Sequence, residues 1–93
     1  MWYLRRVSGD SMNPNYRNGK LVLVSYVAKY SVGDVVVAFM DRREVIKRIS
    51  KMTDGRVFLV GDNKHNSTDS RKHGWIVESN LMGKVVWPRK NLL

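Results

Sequence analysis

The sequence predicts a compact, mainly all-β fold with at most one or two short helical turns. Two short valine-rich runs, Leu21–Val24 and Val35–Met40, each come shortly after a turn dipeptide that contains glycine. Short apolar runs bounded by such turns are typical of buried strands. The Asp-Gly pair at Asp54-Gly55 favours a tight hairpin turn and so indicates the same fold class.

The remaining elements follow from alternation and turn residues along the chain. Glu44–Met52 alternates between apolar and polar residues, so we expect it to pair with Val35–Met40 as a hairpin across the polar turn Asp41–Arg43. The other predicted elements are strands Arg56–Val60 and Gly83–Trp87, short helical turns at Met12–Tyr16 and Glu78–Met82, and a polar loop from Gly61 to Gly74.

Length and composition limit the class of protein. A length of 93 residues predicts one domain over residues 1–93. The chain has no cysteine, which excludes disulfides and thiolate metal sites within it. No apolar stretch approaches the roughly 20 residues that a membrane span needs, and no signal peptide is visible. We therefore expect a cytoplasmic location, with association at a membrane surface left open.

The charge balance is strongly basic. The formal net charge is +9, from 17 Lys and Arg against 8 Asp and Glu. Such an excess suits nucleic acid, an anionic membrane or an acidic partner. The basic residues are scattered in pairs rather than gathered in a block, and the chain carries no nucleic-acid-binding motif. Nucleic acid is therefore not a favoured partner, although a basic β-module that binds nucleic acid or protein without chemistry stays the alternative to an enzyme.

Lys47 is a candidate general base. Side chains two apart in a strand share a face, so Lys47 should point the same way as Val45 and Ile49. Burial between such neighbours disfavours the charged form of a lysine and lowers its pKa, which lets it accept a proton. The alternative is a lysine that extends past the sheet to solvent.

Ser11 is a candidate nucleophile. A serine hydroxyl is a weak nucleophile and needs a base within hydrogen-bond reach. Gly9, two residues earlier, allows a positive φ and a tight turn. Such a turn could expose the Ser11 oxygen and direct backbone N–H groups at a developing oxyanion. Taken alone, however, the segment is also an ordinary polar loop.

The polar run from residue 61 to residue 74 predicts an ordered loop, because Asx and serine side chains make local backbone hydrogen bonds. Counted from Asp62, it lacks the glycine and glutamate of a calcium loop, having Ser67 and His73 at those positions. His65 and His73 lack the partners of a zinc site. A Ser-His-Asp triad that uses either histidine stays an alternative to a lysine base.

These segments together resemble the serine–lysine peptidases, the group that includes type I signal peptidases and the LexA-like self-cleaving proteins. The likeness rests on VSGDSMNP around Ser11, VIKRIS around Lys47 and the run GDNKHNSTDSRKHG from Gly61 to Gly74. The likeness covers about Val7 to Val86. The sequence is similar in particular to small soluble nickel-type superoxide dismutase maturation proteases. The resemblance implies a serine endopeptidase that cleaves a propeptide or leader from a partner protein.

The resemblance also implies roles for individual residues. Ser11 would be the nucleophile and Lys47 the base, with Ser67 orienting the lysine. Gly9 stands where many relatives have a second serine, so oxyanion binding would fall to the Ser11 backbone N–H. The expected oxyanion and supporting residues are Gly9, Met12, Ser67, Asp62, Asn63, Asp69 and Arg71. We expect a protein or peptide substrate and neither a metal nor another cofactor.

Overall fold

A computed structural model describes residues 1–63, 65 and 70–89. It contains seven strands: β1 (Trp2–Arg6), β2 (Leu21–Ser25), β3 (Val35–Met40), β4 (Arg43–Thr53), β5 (Arg56–Val60), β6 (Ile76–Val77) and β7 (Leu81–Trp87). Helical structure is limited to α1 (Ser70–His73) and a 3₁₀ turn at Glu78–Asn80. The strands form one sheet in the order β1-β2-β7-β3-β4-β5-β6, and all neighbours are antiparallel. The predicted all-β class is confirmed.

Two tight hairpins build the centre of the sheet. Asp41 and Arg42 join β3 to β4, with positive φ values of 53° and 64°. This left-handed backbone matches the twist of the flanking strands. Arg43 pairs with Met40 and belongs to β4, so the polar turn is one residue shorter than predicted. Asp54-Gly55 joins β4 to β5 as predicted.

Several elements differ from the sequence prediction, among them the short strand β6, which was not predicted. β1 was missed, because its strand state depends on pairing with β2 rather than on a local apolar run. The predicted polar loop from Gly61 to Gly74 contains α1. The helical turn predicted at Glu78–Met82 ends at Asn80, because Leu81 pairs with Ala38 and so begins β7. The segment Met12–Tyr16 forms a single turn, in which the Tyr16 N–H donates to the Met12 carbonyl at 2.9 Å.

Both faces of β3 are buried, because its alternate side chains enter two different apolar clusters. The first cluster holds Val7, Met12, Tyr16, Val22, Val24, Val35, Val37 and Val85. The second cluster holds Val36, Ala38, Ile49, Val57 and Leu59. A strand covered on both sides reads as a nearly unbroken apolar run, which is why β3 was predictable to the residue.

A group of large apolar side chains lies exposed at the β1 edge of the sheet. Trp2 is 66% exposed and Trp87 is 62% exposed. Leu4 and Leu23 connect them, because Leu4 pairs with Leu23 and Leu23 pairs with Trp87. Directly paired residues share a face of the sheet. We call this surface the Trp2–Trp87 face. In the described part of the chain, no helix has the length and apolar content needed to cross a membrane.

Gly83 marks the closest packing between β7 and its neighbours. A Cβ there would lie 2.6 Å from Val24 Cγ1 and 3.1 Å from the Ser25 carbonyl oxygen, and the φ of Gly83 is +153°. We expect Gly83→Ala to lower the free energy of unfolding by at least about 1–3 kcal/mol, the usual cost of overpacking. Urea unfolding measures it.

Gly55→Ala is the matched control. Gly55 also has a positive φ, of +71°, but open space surrounds the position of its Cβ. Alanine at this position would therefore introduce backbone strain without a steric clash. An equal or greater loss of stability in Gly55→Ala would contradict the argument that close packing requires glycine at Gly83.

Candidate active site

A cleft of about 420 Å³ brings the two predicted catalytic residues together. Residues 5–11, at the end of β1 and in the loop after it, line the cleft. Residues 43–47, the first half of β4, line it as well. Ser11 belongs to the first of these segments and Lys47 to the second. The sequence separates the two residues widely, and the fold returns both to one concave surface.

Lys47 is only 4% exposed. It lies opposite Val36 of β3, whose side chain is completely buried. Val45 and Ile49, on the same face of β4 as Lys47, pack in the second apolar cluster, whereas Ile46 packs against the first. The alternation therefore places the lysine as expected, on an apolar face and shielded from water. Such surroundings favour the neutral form of an amine.

The loop that carries Ser11 is anchored in the core at both ends. Val7 and Met12 are buried in the first cluster. Between them, Gly9 has a φ of +84°, and its N–H donates to Asn18 Oδ1 at 2.8 Å. The Ser11 backbone N–H donates no hydrogen bond within the described residues. It is thus an available donor for an oxyanion that would form on a carbonyl oxygen attacked by the Ser11 hydroxyl.

Asn63 fixes the backbone of this loop. Its N–H donates to the Ser11 carbonyl at 2.8 Å. Its side-chain Nδ2 donates to the Asp10 carbonyl at 3.0 Å. The Asn13 N–H also donates to the Asp10 carbonyl, at 3.1 Å. Two consecutive carbonyls are therefore held in place, which limits how far the peptide that bears Ser11 can rotate.

Asp62 connects the Ser11 loop to the strand of Lys47. Its carboxylate accepts hydrogen bonds from Arg48 Nε at 2.8 Å and Arg48 Nη2 at 2.9 Å. Asn15 Nδ2, beyond the turn that contains Ser11, donates to the same carboxylate at 2.9 Å. The side chains of Arg48 and Asp62 are 10% and 2% exposed. The hydrogen bond that Arg48 donates to Asp62 raises the pKa of Arg48, which keeps its guanidinium charged.

Arg48 and Asn15 are site residues that sequence reasoning missed. One signal could have indicated Arg48. It shares a strand face with Ile46, and an arginine on an apolar face needs a buried partner. Asp62 was predicted to fix the loop entry, and the structure adds that it is this partner. Asn15 gave no signal, because its contact with Asp62 spans 47 positions.

The other predicted site residues lie outside the cleft or outside the described residues. Arg71 lies on α1, exposed and away from the cleft, while Ser67 and Asp69 fall outside the described residues. His65 and His73 are exposed and do not line the cleft. His73 Nε2 lies 3.9 Å from Asp41 Oδ2. Within residues 1–63, 65 and 70–89, no group of three or more metal-ligating side chains comes together.

Comparison with known proteins identifies the family. The family model described as Peptidase S24-like matches residues 1–86, so the chain belongs to that family. It is 36% identical over 73 residues to Signal peptidase I V of Bacillus subtilis (strain 168), covering 75% of this chain and 43% of that protein. It is 43% identical over 44 residues to a Signal peptidase I of Buchnera aphidicola, covering 43% of this chain and 14% of the relative.

A eukaryotic relative shows the same likeness. Mitochondrial inner membrane protease subunit 1 of Xenopus tropicalis is 40% identical over 47 residues, covering 47% of this chain and 28% of that protein. In each of these comparisons the chain spans less than half the length of its relative. The resemblance to type I signal peptidases and LexA-like proteins is thereby confirmed.

The buried Arg48–Asp62 pair gives a stability prediction. Asp62→Asn keeps the shape of the side chain but removes the negative charge that faces the buried guanidinium. We expect the free energy of unfolding to fall by about 3–5 kcal/mol, the usual cost of breaking one side of a buried ion pair. Chemical denaturation at neutral pH measures it.

Asp54→Asn provides the matched control for this prediction. Asp54 lies exposed in the hairpin turn between β4 and β5. Asparagine before glycine suits that turn equally well, so the change should stay within about 0.5 kcal/mol. A similar small effect in Asp62→Asn would show that the pair does not hold the site together.

Proposed function

We propose that this chain is the catalytic core of a serine endopeptidase in which Lys47 takes the proton from Ser11. The observation that carries the proposal is the shared cleft, which is lined by a shielded lysine and a loop serine. Neutral Lys47 accepts the proton as Ser11 Oγ attacks the peptide carbonyl, and it then returns the proton to the leaving amine. The Ser11 N–H stabilises the oxyanion, and water later hydrolyses the acyl-enzyme.

The substrate in this proposal is a protein from which a leader or propeptide is removed. Two observations support it. The relatives are named signal peptidase and inner membrane protease, and the sequence resembles the nickel-type superoxide dismutase maturation proteases. The precursor of such a dismutase is therefore the first substrate to test, by sequencing the new N-terminus after incubation with the protein. The cytoplasmic location stays a prediction from the sequence.

Acylation separates an enzyme from a basic β-module that only binds. We expect a penem inhibitor to label the wild-type protein at Ser11, as shown by the mass of the intact protein and of its peptides. Ser11→Ala removes the nucleophile, and Lys47→Arg replaces the base with a group that stays protonated, so both should abolish labelling and cleavage. Circular dichroism should show an unchanged fold in Ser11→Ala.

The controls use residues of the same type away from the cleft. Ser79→Ala alters an exposed serine, and Lys51→Arg alters an exposed lysine on the same strand as Lys47. Both should retain labelling, as should His65→Ala and His73→Ala. Labelling should rise with pH as the lysine loses its proton. Activity in Lys47→Arg with loss in a histidine variant would replace the lysine with a histidine base.

We also propose that the β1 edge of the sheet rests on an anionic membrane surface, through the Trp2–Trp87 face. The support is its two exposed tryptophans, the ammonium of Lys20 at 6.0 Å from the centre of the Trp87 ring, and the net charge of +9. Tryptophan at a bilayer interface with basic residues nearby is a common mode of surface binding.

Sedimentation with vesicles tests this association. Phosphatidylserine vesicles should bind the protein, and phosphatidylcholine vesicles should bind it far less. The double variant Trp2→Ala, Trp87→Ala should bind at least about tenfold more weakly, given the apolar area removed. Trp75→Ala, an exposed tryptophan that packs on Phe58 elsewhere, is the control. Equal binding by both variants would exclude the Trp2–Trp87 face as the contact.

A further inference from the structure

The cleft carries a positive charge without a partner in the described part of the chain, at the start of β4 and four residues from Lys47. Arg43 lines the cleft, and its guanidinium makes no hydrogen bond or ion pair within the described residues. The pairing of β3 with β4 is continuous from Arg43 to Arg48, so Arg43, Val45 and Lys47 share one strand face. A peptide that extends from Lys47 along this face therefore passes Val45 and then reaches Arg43.

A second arginine, Arg5, lines the same cleft. Arg5 of β1 donates from Nε to Glu44 Oε1 at 2.5 Å, and both residues line the cleft. β1 and β4 are not neighbours in the sheet, so this ion pair connects the two segments that line the cleft. Arg5 and Glu44 have side chains 40% and 34% exposed. Water can therefore reach the pair, and an incoming carboxylate can compete for Arg5.

The charge of the whole cleft favours an acidic occupant. Three arginines and two acidic side chains line it, Arg5, Arg6 and Arg43 against Asp10 and Glu44. Lys47, the neutral base of the proposed mechanism, is not counted among the charges. One acidic side chain, Glu44, is already committed to Arg5. The protein as a whole, with its net charge of +9, also attracts anionic chains by long-range steering.

We propose that the cleft selects peptides with an acidic side chain about four residues from the cleaved bond, which binds Arg43, while Arg5 in the same cleft adds to the attraction. This inference rests on the proposed peptidase function. The position follows from strand geometry. Arg43 lies four residues from Lys47, which is about 13 Å along a strand, and an extended peptide advances by the same distance in about four residues. The acidic residue lies on whichever side of the bond runs along residues 43–47.

Cleavage of a mixed peptide library, read by mass spectrometry, tests the preference. Wild-type protein should cut peptides with Asp or Glu three to five residues from the bond at least about fivefold more efficiently than peptides with Lys there, as judged by kcat/KM. Arg43→Glu should reverse the preference toward Lys. Glu44→Gln frees Arg5 and should strengthen the preference for Asp and Glu.

Arg56→Glu is the matched control. Arg56 begins β5 after a tight turn, as Arg43 begins β4, and it is exposed outside the cleft. Arg56→Glu changes the net charge of the protein as much as Arg43→Glu does. A loss of the acidic preference in Arg56→Glu would therefore indicate general electrostatic steering and overturn the Arg43 site. Cleavage without any acidic preference would overturn the inference and leave the peptidase standing. Failure of wild-type protein to cut peptides or to be acylated at Ser11 would overturn both.

Discussion

The candidate site depends on one buried carboxylate. Asp62 follows β5, yet its two oxygens bind Arg48 on β4 and Asn15 on the loop that carries Ser11. The bidentate geometry of this pair offsets part of the hydration that the two charges lose on burial. If Asp62 turned away, a buried guanidinium would lack its counterion. The position of the Ser11 loop relative to β4 thus depends on an interaction whose loss would destabilise the fold.

Asn63 extends this connection by one residue. Because Asp62 is fixed on Arg48, the next residue is held where its N–H and side chain meet the Ser11 and Asp10 carbonyls. The two adjacent residues therefore divide the task. Asp62 sets the distance between the loop and β4, and Asn63 sets the orientation of the peptide that would carry the nucleophile. Supporting groups of this kind are what hold a reactive side chain in a productive geometry.

Local patterns predicted the centre of the sheet, and non-local contacts decided the rest. β3 and β5 were predicted to the residue, because valine-rich runs and tight turns are readable signals. Alternation predicted the face on which Lys47 lies but left open a lysine extended to solvent, and the structure shows that it is shielded. β1 was missed, because Trp2–Arg6 has half-exposed and exposed residues and becomes a strand only by pairing with β2. The Asp62–Asn15 contact was invisible for the same reason, since it joins segments that only the finished fold brings together.

Lys47 and Arg48 are adjacent basic residues that one strand places in different surroundings. Both are buried, but alternation sends them to opposite faces of β4. Arginine stays protonated in proteins, so a buried Arg48 requires the carboxylate of Asp62. Lysine, unlike arginine, can lose its proton, and burial in general disfavours the charged form of an amine. Exchanging the two residues would put a permanent charge on the apolar face and a removable one beside Asp62, so the order Lys-Arg suits a base at residue 47 and an anchor at residue 48.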